Sequence, residues 1–169
     1  MKKMFFSALS LLGFAINSNA QATAQASATA TIVTPISITK NVDMNFGNVA
    51  VSATIAGTVI LAPAGTRTTG GAGGVTLPAT TGTVTAADFT VNGNGAFTYA
   101  ITLPASATLT RVGGSETMTA NAFTSTPSGT GTLSGGTQNL KVGATLNVAA
   151  AQVAGTYVCA SFDVTVNYN

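Results

Sequence analysis

Apolar and polar residues alternate with a period of two, in short segments throughout residues 21–169 of this 169-residue chain, and no stretch keeps the period of an amphipathic helix. In an extended strand that alternation sends one set of side chains to a core and the other outward. Gly, Pro, Asn and Ser clusters punctuate the segments, and Thr and Val supply much of the strand material. Branching at Cβ restricts χ1 in a helix but suits a pleated surface. The pattern predicts an all-β fold, an antiparallel two-sheet sandwich in which each inner face buries alternate residues. A closed barrel or a β-solenoid is the alternative, although no fixed short repeat of the kind a solenoid needs is present.

Strands are expected over Gly57–Leu61, Val75–Leu77, Thr108–Val112, Glu116–Phe123, Asn139–Val142 and Thr145–Ala149. The clearest hairpin is Asp88–Pro104, where Phe89 and Val91 alternate on one arm and Phe97, Tyr99, Ile101 and Leu103 on the other. Its turn is Asn92-Gly93-Asn94-Gly95, residue types that tolerate positive φ. Gly70–Gly74, Gly113-Gly114 and Ser125–Thr137 are expected as connections. A last strand places Val158, Ala160, Phe162, Val164, Val166 and Tyr168 on one face, with Cys159, Ser161, Asp163, Thr165 and Asn167 on the other.

The start of the chain has a different character. Lys2 and Lys3 precede an apolar run, Met4–Ile16, which ends in Ser18-Asn19-Ala20, the pattern of a secretory signal cleaved after Ala20. The run is too short to span a bilayer, and nothing later resembles a stop-transfer segment. The organisation expected is therefore a signal peptide (1–20), an N-terminal extension (21–33) and a sandwich domain (34–169), exported through the periplasm to the cell surface or beyond. In the extension, Ala22, Ala24, Ala26, Ala28, Ala30 and Ile32 share one face of an extended chain, while Thr23, Gln25, Ser27, Thr29 and Thr31 share the other. That register suits a strand that adds to a sheet, its own or another molecule's. A disordered Ala/Thr leader is the competing reading, most of all for Gln21–Gln25.

Charge excludes one large class of function. Beyond the signal, Lys40, Arg67, Arg111 and Lys141 balance Asp43, Asp88, Glu116 and Asp163, so the formal +2 resides in Lys2 and Lys3. Four scattered cations make no basic stripe for nucleic acid. They also leave little repulsion between copies, which permits self-association.

The inventory of reactive groups is equally bare. Histidine is absent, which removes the commonest general base and metal ligand and leaves Cys159, the single cysteine, without a thiolate-activating partner. The four carboxylates are far apart in sequence. A catalytic role is therefore not expected, nor any cofactor or metal, and folding two of those carboxylates into one pocket would reverse that. The glycine run Gly70–Gly74 lacks the Lys-Ser/Thr ending and the helix of a phosphate cradle. Asn92–Gly95 lacks the carboxylates of a calcium loop. Cys159 reads as a small apolar strand residue, with an intermolecular disulfide as the alternative.

Two stretches carry a family resemblance. Ala28-Thr29-Ala30-Thr31-Ile32-Val33-Thr34-Pro35-Ile36-Ser37-Ile38-Thr39, followed by Met44-Asn45-Phe46-Gly47-Asn48-Val49, resembles the secreted bacterial family known as domain of unknown function 4402. So does Gly155-Thr156-Tyr157 leading into Phe162–Tyr168. The same ends are similar to subunits of archaic chaperone–usher pili, related to spore coat protein U domains. Those subunits carry an alternating N-terminal extension, an early Phe-Gly corner as at Phe46-Gly47, and an alternating last strand with a penultimate tyrosine, here Tyr168. The glycine fourteen residues before the end is Gly155.

The pilin resemblance implies an immunoglobulin-like sandwich lacking one strand, which the next subunit's extension completes. Ala22–Ile32 would then be the donor strand, and Gly155, Phe162, Val164, Val166 and Tyr168 the C-terminal assembly strand. Its implied partners are further copies of the chain, a periplasmic chaperone and an outer-membrane usher. The chain departs from that pattern in its mostly alanine donor face and its missing disulfide. A self-complete exported sandwich that binds a glycan or a protein is the second functional reading.

Overall fold

A computed structural model describes residues 21–169. The processing signal expected over residues 1–20 lies outside them. Val33–Asn169 form one compact unit. Of the unit that ends at Ile32, the described residues 21–32 are exposed and belong to no strand.

The fold is all-β, and no helix occurs among the described residues. Among the described residues thirteen strands follow one another: β1 (Ser37–Val42), β2 (Ala50–Val51), β3 (Gly57–Leu61), β4 (Arg67–Gly70), β5 (Val75–Thr76), β6 (Ala87–Asn92), β7 (Thr98–Thr102), β8 (Ser106–Arg111), β9 (Thr117–Thr126), β10 (Thr130–Thr132), β11 (Thr137–Val148), β12 (Tyr157–Val158) and β13 (Thr165–Tyr168). They make an antiparallel main sheet in the order β1-β6-β11-β9-β8-β12, a smaller sheet β10-β7-β13 and a short pair β2-β5. The main sheet curls into a half-barrel, and the smaller one faces part of it in a sandwich-like arrangement.

β11 organises the main sheet. Its even-numbered residues Leu140, Val142, Ala144, Leu146 and Val148 are all buried, which fixes its register because a one-residue slip would send them to water. One edge of β11 is shared, with β6 pairing along Thr137–Val142 and β3 along Ala144–Val148; β4 then extends β3. β9 takes the other edge. Two apolar clusters result. One gathers Val59, Leu61, Leu146 and Val148 beneath Phe46, and the other gathers Phe89, Val91, Leu140 and Val142 against Tyr99, Leu133 and Val166 of the small sheet and its approach. Met44 and Phe123 touch both.

The expected Asp88–Pro104 hairpin is not a hairpin. Its arms, β6 and β7, lie in different sheets, and Asn92–Gly95 carries the chain between them. Phe89 and Val91 therefore meet Tyr99 face to face across a core instead of side by side in one sheet. The turn is held by its neighbour Gly135-Gly136: Gly93 N–H donates to Gly136 O at 2.8 Å, and Gly136 N–H to Gly95 O at 2.8 Å. Tyr99 is fully buried, its hydroxyl donates to Gln138 Oε1 at 2.7 Å, and burial pushes its phenol above the usual range.

The expected last strand also breaks. β12 ends at Val158, Cys159–Val164 belong to no strand, and β13 then pairs with β7 in the smaller sheet. Phe162, Val164, Val166 and Tyr168 keep the expected parity and join the second cluster, whereas Val158 and Ala160 are exposed. The chain has to leave one sheet to reach the other, so a single continuous face is impossible.

Candidate functional site

A groove of about 950 Å³ with an apolar floor lies on the inner face of the main sheet. Its floor is Ala107 and Leu109 of β8, Met118 and Ala120 of β9, Phe123 and Leu146. Ala107, Ala120 and Leu146 are buried, but neither the small sheet nor the chain after β1 fully covers Leu109, Met118 and Phe123, which remain half-buried at core positions. One rim is the chain from Val42 to Val51, the other the chain from Gln152 to Phe162.

A β-bulge shapes the floor. Between Gly143 and Thr145 of β11 the partner strand β9 advances from Thr124 to Asn121, one residue too many, and Ala122 takes up the excess with φ of +47°. Inward positions in β9 accordingly run Met118, Ala120, then Phe123 and Ser125. Strict alternation would have aimed Ala122 inward and Phe123 at water. The bulge instead brings Phe123 against Phe162, with ring centroids 5.2 Å apart.

The first rim is set by the Phe46-Gly47 corner. Gly47 has φ of +69°, and a Cβ there would run into Thr81 O and the Val84 side chain. Arg67 braces the corner by donating from Nη1 to Phe46 O (2.6 Å) and Asn48 O (2.7 Å), and from Nη2 to Thr81 O (3.3 Å). Phe46 is thereby held buried.

The second rim leaves backbone unpaired. β12 meets β8 only at Arg111 and Thr110, so Ser106–Leu109 have β9 on one side and no strand on the other. Cys159–Val164 likewise pair with no strand among the described residues. Cys159 sits here, a half-buried free thiol whose Sγ is 3.0 Å from Ser161 O, and not in a strand as its sequence context suggested.

The groove is electrically plain. Its Lys40 and Asp43 form an exposed ion pair at 2.6 Å. The other carboxylates lie on different elements. Asp88 accepts from Asn41 and Asn139 (2.8 Å each) with Lys141 at 3.8 Å, and Glu116 accepts from Arg111 at 2.6 and 3.1 Å. The Arg111 hydrogen bond holds the Glu116 carboxyl below the usual carboxylate range. Asp163 is exposed. Among the described residues no three His, Cys, Asp or Glu side chains gather as a metal site, and no helix is long and apolar enough to cross a membrane.

Of the residues singled out in the sequence, Phe162, Val164, Val166 and Tyr168 come together around the second cluster. Gly155 stands apart, exposed on the groove's second rim beside the Arg111 side chain. Ala22, Ala24, Ala26, Ala28, Ala30 and Ile32 are exposed, Ile32 to 94%. Alternation places Leu109 and Met118 on an inward face but would send Phe123 outward, and nothing in the spacing marks Leu109 and Met118 as only half-covered.

Neither the curated proteins nor the solved structures contain a match to this chain. A family profile does match, over residues 36–168, so that both apolar clusters, the groove and Tyr168 fall within it, and the chain belongs to the family described as domain of unknown function (DUF4402).

Proposed function

We propose that the protein is a structural subunit of a bacterial surface fibre, exported and then polymerised by strand addition, without catalytic activity. The observation that carries this reading is a pairing of unmet needs: a groove whose apolar floor is only partly covered, and an alternating segment, Ala22–Ile32, that joins no strand. An added strand satisfies both. Its backbone pairs with an open edge such as Ser106–Leu109, while every second side chain enters the groove. A second copy supplies such a strand without any further partner. An apolar groove that is open before assembly invites aggregation, which gives a periplasmic chaperone and an outer-membrane usher their place in the scheme.

Strand addition predicts that residues 21–169 form oligomers that survive mild denaturant. Deleting Gln21–Val33 abolishes them, as read by light scattering coupled to size exclusion. Fibres from the truncated protein, or a full-length monomer with Ala26–Ile32 paired in its own sheet, would refute the proposal. The monomer result would favour a self-complete surface module that binds a glycan or a protein.

A further inference from the structure

The penultimate residue reaches across the fold. The Tyr168 hydroxyl accepts from Asn94 N–H at 2.6 Å and donates to Thr34 O at 2.9 Å. Asn94 lies just beyond β6 of the main sheet, Thr34 lies just before β1, and Tyr168 itself is paired to Tyr99 in the small sheet. One phenol therefore ties both sheets to the point at which the chain enters its own fold.

The surroundings hold that phenol in place. Phe97 stacks edge-on against its ring with centroids 5.6 Å apart. Gly93 permits the approach, because a Cβ there would collide with the Tyr168 hydroxyl. Beyond Thr34 the chain is committed to its own body: Pro35 fixes φ, and Ile36 packs into the second cluster. On the other side, Ile32 is the last residue of the alternating segment and only two residues from Thr34.

We infer that Tyr168 is a positioning residue for assembly: it fixes the point where the donor segment leaves the subunit, so that consecutive subunits are joined by a short, stiff connection. The inference rests on strand addition as the mode of assembly. Two residues of extended chain span about 7 Å, so an Ile32 seated in a neighbour's groove brings that neighbour against the end of the subunit where Thr34 is pinned. The pin removes the slack that free rotation at Thr34 would otherwise give.

The test compares residues 21–169 as wild type, with Tyr168→Phe, and with two glycines inserted between Val33 and Thr34. Phenylalanine keeps the ring and its stacking on Phe97 but loses both hydrogen bonds. Fibres of Tyr168→Phe are expected to form and to bend more in electron micrographs. The first amides of β1 should exchange about fivefold faster, the change expected for losing the one hydrogen bond that holds Thr34 O at the entry to that strand. The insertion leaves the pin intact and lengthens the subunit repeat by up to about 7 Å. Tyr168→Phe fibres as straight as wild type, or an insertion with an unchanged repeat, would overturn this inference and leave strand addition standing. Absence of fibres in the wild type overturns both.

Discussion

Replacing Ile32 with alanine separates association from folding. Ile32 is 94% exposed and belongs to no strand, so the subunit's own stability does not depend on it. Of the six residues on the proposed donor face it is the one larger than alanine. Ile32→Ala removes three carbons from a side chain that the proposed assembly buries, at about 0.8 kcal/mol each, so each junction loses about 2 kcal/mol. That corresponds to association about 30-fold weaker. Sedimentation velocity over a dilution series reads the shift directly, and a urea melt at a concentration where the protein is dispersed serves as the control. The expected outcome is a displaced association curve with an unfolding midpoint that does not move. An association curve superimposable on wild type refutes the assignment of Ala22–Ile32 as the buried donor face, and a lowered midpoint refutes the view that Ile32 is idle in its own fold.

Two further predictions concern the frame that carries the groove. Gly131 lies beneath the fully buried Tyr99, and a Cβ there would collide with the ring, so Gly131→Ala should cost about 2 to 3 kcal/mol in urea unfolding through displaced packing and a weakened bond to Gln138. Glu116 titrates below its usual value because Arg111 hydrogen-bonds its ionised form, so its contribution is present above the unfolded value of 4.5 and is lost as pH falls through the folded one. The melting temperature of Glu116→Gln should consequently fall less than that of wild type as pH drops below 4.5; parallel curves would show the pair to be inert.

The strand content was readable because alternation is a property of one segment at a time. β3 has the bounds the pattern indicated, Gly57–Leu61, and the two segments expected at Asn139–Val142 and Thr145–Ala149 are halves of one strand, β11. Pairing was not readable in the same way, since the period reports which face is apolar and not which strand lies alongside. Phe89 and Tyr99 fit a hairpin and two facing sheets equally well, and the choice depends on β1 and β11 flanking β6 on either side. The phase reversal in β9 hinges on an alanine with positive φ, a residue type that gives no warning of it. β1, β4 and β10 were missed because Lys40-Asn41, Arg67–Gly70 and Thr130–Thr132 are polar or small edge segments whose pairing comes from neighbours.

The groove follows from the same long-range choices, and it fits the alanines of the proposed donor segment. Had the chain continued along β8 beyond Val158, it would have covered the main sheet's edge but could not have supplied β13 to the small sheet. By leaving at Cys159 it places Val166 and Tyr168 in the second cluster and exposes the floor beneath Leu109 and Met118. Leu109 and Met118 rise from that floor beside the small Ala107 and Ala120, and the bulge at Ala122 adds Phe123, so bulky side chains already project where a donor residue would enter. A ladder of methyl groups fits between such projecting side chains. Each methyl contributes little, and the backbone pairing of an added strand then carries a larger share of the association. Enlarging Ala26 or Ala28 to leucine would, on this reasoning, obstruct docking even though it adds apolar surface, the opposite of what a deep, empty groove would give.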